Sequence, residues 1–169
     1  MSTSVLELPT WAVVTAERRD HIARVAALLA QWADAGQVPQ TERGRWLRAA
    51  WLHDALRDAA LADDLAHGPA AADRAAREGE HDTGVLDAVR YHSVGCAGWD
   101  AVGRMLYCAD YLEPGRRFDA PARAALAARM PEDPDGVLRT VAARRLEWVI
   151  RSGWPLAPET TAFWNSLVR

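Results

Sequence analysis

The chain reads as all-helical, and three observations carry that reading. Alanine, leucine and arginine dominate while valine and isoleucine are scattered. No window alternates apolar and polar residues with the period of two that a half-buried strand requires. Apolar residues instead recur at spacings of three and four between proline and glycine punctuation, which predicts a bundle of about seven to eight helices.

Residues 1–14 are expected to form a short N-terminal arm, with Pro9 and Trp11 packing onto a single domain over 15–169. Thr15 is the N-cap of a first helix that runs to Ala35, with Gly36 as its stop. Ile22, Val25, Leu29 and Trp32 form its buried stripe, and His21, four residues before Val25, faces inward with them. Pro39 breaks the chain, and Thr41 is the expected cap of a second helix. On that helix Trp46, Ala50, His53 and Arg57 share one face, with Leu47, Trp51 and Asp54 beside it. A loop carrying Asp63 and Asp64 follows. The third helix is expected from Pro69 to Glu78, because proline suits a first turn, so His67 falls just before it.

Residues 79–82 make a polar turn, and Val85, Ala88, Val89 and His92 line the next helix at helical spacing. Residues 93–98 form a loop. The helix after it, 100–112, turns Val102, Leu106, Ala109 and Asp110 inward and stops at Pro114-Gly115. A short helix is expected over 121–129, and a long one over 134–151 with Val137, Val141, Trp148 and Val149 apolar. Pro158 opens the last.

Composition excludes several functions. With 20 basic and 23 acidic residues in 169, a net charge of −3 does not fit a reader of nucleic-acid backbones. Every fixed cation is arginine; there is no lysine, hence no P-loop, and no Gly-x-Ser-x-Gly elbow either. The first residues lack the basic flank and apolar run of a signal peptide, and no apolar stretch approaches the ~18 residues of a membrane span. Cys96 and Cys108 fit reduced thiols. The expectation is a soluble cytoplasmic domain without nucleic-acid or membrane partners.

The informative feature is His53-Asp54, a polar doublet inside an apolar helical pattern. Burying two such groups is costly without partners, and a metal ion suits both imidazole and carboxylate. Adjacent helical residues point about 100° apart, so His53 is free to serve one ion while Asp54 leans toward a second. His21, His67, His92 and Asp110 lie at inward stripes or helix mouths and complete the set. A histidine satisfied within the core is the plain alternative for any one of them; the joint pattern favours metal. His81, in an acidic turn, is expected to be solvated. Arg57, one turn after His53, is a candidate for reaching a group bound at the metals. Arg18, Arg19, Arg48, Arg74 and Arg77 are expected on solvated faces, Glu113 and Arg116 as a local ion pair, and Trp99 in the core.

The order His, His-Asp, His, His, Asp on a helical chain resembles the HD-domain metal-dependent phosphohydrolases. His21-Ile22-Ala23-Arg24-Val25, Leu52-His53-Asp54, His67-Gly68-Pro69, Ala88-Val89-Arg90-Tyr91-His92-Ser93 and the run Ala109 to Arg116 resemble the YqeK family. So does the ending Trp164-Asn165-Ser166-Leu167-Val168. The resemblance implies an HD-type helical bundle and a symmetrical bis(5'-nucleosyl)-tetraphosphatase that cuts diadenosine tetraphosphate into two ADP. It implies two metal ions, iron first and Mn, Co or Zn otherwise. His21, His53, Asp54 and Asp110 would hold one ion, and Asp54 would bridge to a second at His67 and His92, with a water activated between them. Arg57 stands where the family carries lysine and, with Arg116, is implied to neutralise the phosphate chain; Asp54 and Arg57 are the implied catalytic residues.

Two departures fall where the nucleotide pocket wall is expected. Thirteen residues separate His53 from His67, fewer than in the family pattern, and Trp99-Asp100 replaces Met-Ser. The rival readings are therefore a nucleotide or sugar phosphomonoesterase with the same metals, and a nucleotide-binding module without turnover. Homodimerisation is left open.

Overall fold

Helix α1 (Ala16–Ala35) is built as its sequence dictates. In the computed structural model, which describes residues 7–169, the Thr15 hydroxyl accepts from Arg18 N, and Gly36 closes the far end onto Trp32 O. Ile22, Val25 and Leu29 are fully buried, each worth about 1.5–3 kcal/mol of transfer free energy. Helix α2 (Gln40–His53) packs along α1, and α4 (Thr83–Tyr91) and α5 (Ala101–Leu112) complete the layer around a shared core. Helix α3 (His67–Arg77) lies on α4. Helices α6 (Ala120–Arg129), α7 (Pro134–Arg151) and α8 (Pro158–Leu167) brace α5 from behind, with Phe163 of α8 packed edge-on against Trp99 and Tyr107. There are eight helices and no strand among the described residues, so the all-helical expectation holds.

Four expectations need correction. Helix α2 begins at Gln40 with Pro39 in the cap position rather than at Thr41, and it ends at His53. Asp54 is already its C-cap, at φ −107° and ψ 14°, so Arg57 does not share a helical face with His53. Helix α3 starts at His67, not Pro69, which puts that histidine in its first turn. Trp148, expected on an apolar stripe, is 58% exposed and stacks edge-on against Trp154.

The segment before α1 is tied to the body. Val13 N donates to Ala55 O, Asp58 N donates to Val13 O, and Trp11 packs near Ala71, Ala72 and Val89. The remainder of the expected arm, residues 1–6, lies outside the described residues. Among the described residues no helix is long and apolar enough to cross a membrane. Both cysteines are free thiols, and burial pushes the Cys108 thiol up to about 12.

Candidate metal centre

Five helices deliver six polar side chains to one buried point. His21 comes from mid-α1, His53 from the last residue of α2, Asp54 from its cap, His67 from the first residue of α3, His92 from the cap of α4 and Asp110 from α5. None is more than 7% exposed. Helix ends supply most of them because a terminal residue lets its side chain turn inward without spending a helical face. Gly68 makes the convergence of α3 and α4 feasible: a Cβ there would sit 2.9 Å from the carbonyl oxygens of Val89 and Arg90.

The two oxygens of Asp54 face different partners. Oδ2 lies 3.6 Å from His21 Nε2 and 3.7 Å from His53 Nε2, while Oδ1 lies 3.2 Å from His67 Nε2 and 3.3 Å from His92 Nε2. Asp110 Oδ1 joins the first set, 3.0 Å from His21 Nε2 and 3.7 Å from His53 Nε2. Three overlapping groups have ligand atoms within 4.8 Å of one another: His21, His53 and Asp54; His53, His92 and Asp110; and Asp54, His67 and His92.

The opposite edges of the imidazoles are fixed. Nδ1 of His53, His67 and His92 lies 2.6, 2.7 and 2.7 Å from the carbonyls of Ala50, Asp64 and Val89. A carbonyl only accepts, so each Nδ1 carries the proton and, in the neutral ring, Nε2 keeps its lone pair. Nδ1 of His21 donates instead to the carboxylate of Glu113, at 3.2 Å. Nε2 of His67 and of His92 then stand 3.0 Å apart, and two facing lone pairs call for a cation or a proton between them. Nε2 of His21 and of His53 are buried without a hydrogen-bond partner among the described residues. Inward lone pairs and carboxylates with no thiolate form a donor set suited to Fe, Mn, Co or Zn, so the residues fit metal ions.

Burial works against charge at Asp54, Asp110 and His21, yet their partners hold all three charged. Burial disfavours ionised Asp54, but the imidazoles of His53, His67 and His92 around it, once protonated, outweigh it and hold the carboxyl well below its ordinary range. Asp110 is likewise held low by His21 and His53 despite its burial. For His21 burial is outweighed by Asp110 and Glu113, which lift it to about 9, so a proton and a metal ion compete for Nε2. Glu113 is pulled down to about 2 against its own burial by His21 and Arg24.

The surrounding cations differ from those expected. Arg18, expected on a solvated face, donates to Asp54 Oδ2 at 2.9 Å. It precedes His21 by three residues, a helical spacing that marks a shared face. Arg57 sits in the turn after α2, 3.6 Å from Asp64, and is not among the residues lining the cavity beside His21. Glu113 and Arg116 are not a pair: Glu113 binds His21, Arg24 and Gly115 N, whereas Arg116 donates to the backbone oxygen of Asp110 at 2.9 Å and to Oδ1 at 3.1 Å. Arg145 of α7 reaches the carbonyls of His92 and Ser93 and pins the loop behind the site. His81 is exposed and Trp99 buried, as expected.

The model of the HD domain family matches residues 18–115, the stretch that holds all six clustered side chains. The chain is 28% identical over 107 residues to a symmetrical bis(5'-nucleosyl)-tetraphosphatase of Halalkalibacterium halodurans. It is 31% identical over 106 residues to a protein of the same description in Bacillus subtilis. These alignments take in 63% and 62% of this chain and 56% of each relative, so the chain matches about half the length of those proteins. A crystal structure described as a predicted HD superfamily hydrolase involved in NAD metabolism, from Clostridium acetobutylicum, superposes with a TM-score of 0.76 at 22% identity. That superposition covers 92% of this chain and 90% of the other, and it shows a shared fold.

Proposed function

The chain belongs to the HD-domain family, and on that premise we propose that it hydrolyses phosphoanhydride bonds, cleaving diadenosine tetraphosphate symmetrically into two ADP. The observation that carries the reading is the division of Asp54, one oxygen toward His21 and His53 and the other toward His67 and His92. His21, His53, Asp54 and Asp110 are the proposed ligands of one ion, and Asp54, His67 and His92 those of a second. Two bound ions, iron in the first instance and Mn, Co or Zn on the same ligands, would supply Lewis-acid stabilisation of charge on the attacking and leaving oxygens.

The rest is positioning by the chain itself, which is most of what phosphoryl transfer asks of a protein. Glu113 and the three backbone carbonyls hold the imidazoles in one tautomer. Arg18 fixes Asp54, and Arg116 spans Asp110 while lining the open cavity, where it is the proposed phosphate contact. The names of the curated relatives support the substrate. The short link from His53 to His67 favours a nucleotide phosphomonoesterase as second reading.

The test is incubation of purified, iron- or manganese-loaded protein with diadenosine tetraphosphate, the products resolved by anion exchange. ADP alone is expected. AMP with ATP would overturn symmetrical cleavage, and turnover confined to monoesters would establish the second reading.

A further inference from the structure

Beside His21, helix α1 and the segment after α5 enclose a cavity of about 580 Å³, within the usual range of small-molecule sites. Its wall carries Arg18, Arg24, Arg116, Arg117 and Arg123 against Glu17, Asp58 and Glu113, with Phe118 at the rim. Three of these cations are engaged: Arg18 by Asp54, Arg24 by Glu113 and Arg116 by Asp110. Arg123 is not. It is 8% exposed, and no carboxylate lies within 4.0 Å of it among the described residues. The neighbouring Asp119 is taken by Arg144.

The contacts Arg123 does make are neutral. Nη1 donates to the carbonyl of Tyr111, the guanidinium lies 3.9 Å from the centre of the Tyr111 ring and 5.9 Å from that of Phe118, and Nε has no hydrogen-bond partner among the described residues. A buried guanidinium keeps its charge, and a buried charge without a counter-ion is costly. Phe118 adds an apolar face, 77% exposed, next to that cation.

We propose that Arg123, with Arg117, is a phosphate subsite built from none of the metal ligands, and that Phe118 is the platform on which the substrate's base stacks. The ligand class is a nucleoside diphosphate or a longer phosphate chain ending in an aromatic base. The inference rests on the phosphoanhydride reading and deepens it: a chain anchored at Arg123 and cut at the cluster must carry more than one phosphate. A monoester cannot use both points.

The test is calorimetric binding of ADP and of tripolyphosphate to the metal-free protein, alongside KM and kcat of the loaded enzyme. Arg123→Gln is expected to weaken both ligands at least tenfold and to raise KM for diadenosine tetraphosphate, with p-nitrophenyl phosphate turnover unchanged. Phe118→Ala, at an exposed position, is expected to weaken ADP about tenfold and leave tripolyphosphate alone. Should Arg123→Gln not fold, Arg123→Lys replaces it, with a smaller loss for both ligands. Wild-type affinities in the foldable variants, with only a lowered Tm, would reduce Arg123 to a support of Tyr111 and overturn the subsite. A wild-type protein that binds ADP but cleaves no phosphoanhydride would overturn the functional reading and leave the subsite standing.

Discussion

The carboxylate of Glu113 lies 3.2 Å from Nδ1 of His21, across 92 residues of sequence, and it is the one side-chain acceptor behind the four imidazoles. Arg24 Nε at 2.6 Å and Gly115 N at 2.7 Å clamp it in turn. An anion behind an imidazole fixes the tautomer and raises its basicity as a ligand. Glu113→Gln keeps the shape and loses the charge. It is expected to weaken metal at the His21 position by about 10–100-fold, measured by competition with a chelator, while helix content by circular dichroism stays the same. Unchanged affinity would mean that Glu113 only closes the end of α5.

The division of Asp54 between two sets of histidines predicts unequal losses of metal. Asp54→Ala removes a ligand from both positions and is expected to abolish tight binding of either ion. His67→Ala touches only the Oδ1 set and is expected to retain about one ion per chain. Metal analysis after gel filtration reads both. Equal stoichiometry in the two variants would argue against Asp54 as the bridge.

The helical frame and the six polar residues were legible because each leaves a local mark. Thr15 precedes an apolar stripe, Asp110 interrupts one, and His53-Asp54 is out of place in another. What was not legible depends on how helices pack. Arg18 looks like any solvated arginine until α1 lies against α2, and it then meets Asp54 across 36 positions. Glu113 has Arg116 as its near neighbour in sequence, yet the turn at Pro114-Gly115 sends the two side chains to different partners. The face expected to join Arg57 to His53 is absent for a simpler reason: periodicity extends a helix past its end unless something marks the stop, and Asp54, as cap, is not a residue that announces one. Trp148 misled because an apolar side chain at helical spacing need not be inside.

Gly68 predicts a stability effect tied to the site. A Cβ there would meet two backbone carbonyls at 2.9 Å and the His92 ring at 3.4 Å, so α3 and α4 must separate. Gly68→Ala is expected to cost about 1–3 kcal/mol, read as a lower Tm, and to weaken metal at His67 and His92 in the same variant. Gly79→Ala, in open space at φ +106°, is the control: it strains the backbone but leaves metal binding intact.

Away from the six clustered side chains, Asp82 gives the fold a pH dependence. Arg45 of α2 joins Asp82 at 2.7 Å and Asp100 at 2.8 Å, tying α2 to the starts of α4 and α5. Its hydrogen bonds draw Asp82 down from its ordinary value to about 2. A carboxyl depressed by folding stabilises the protein above its unfolded pKa and loses that contribution as pH falls through the folded one. The contribution is therefore complete above about pH 4 and gone near pH 2. The side chain of Asp82 is 25% exposed, and solvent screening reduces the full linkage value to about 1 kcal/mol. Asp82→Asn keeps a side-chain oxygen for the cap on Val85 N, so its difference from wild type isolates the ion pair. Urea denaturation is expected to show a gap of about 1 kcal/mol at neutral pH that narrows through pH 3 and closes near pH 2. A gap independent of pH would place the effect of Asp82 in the cap rather than in its charge.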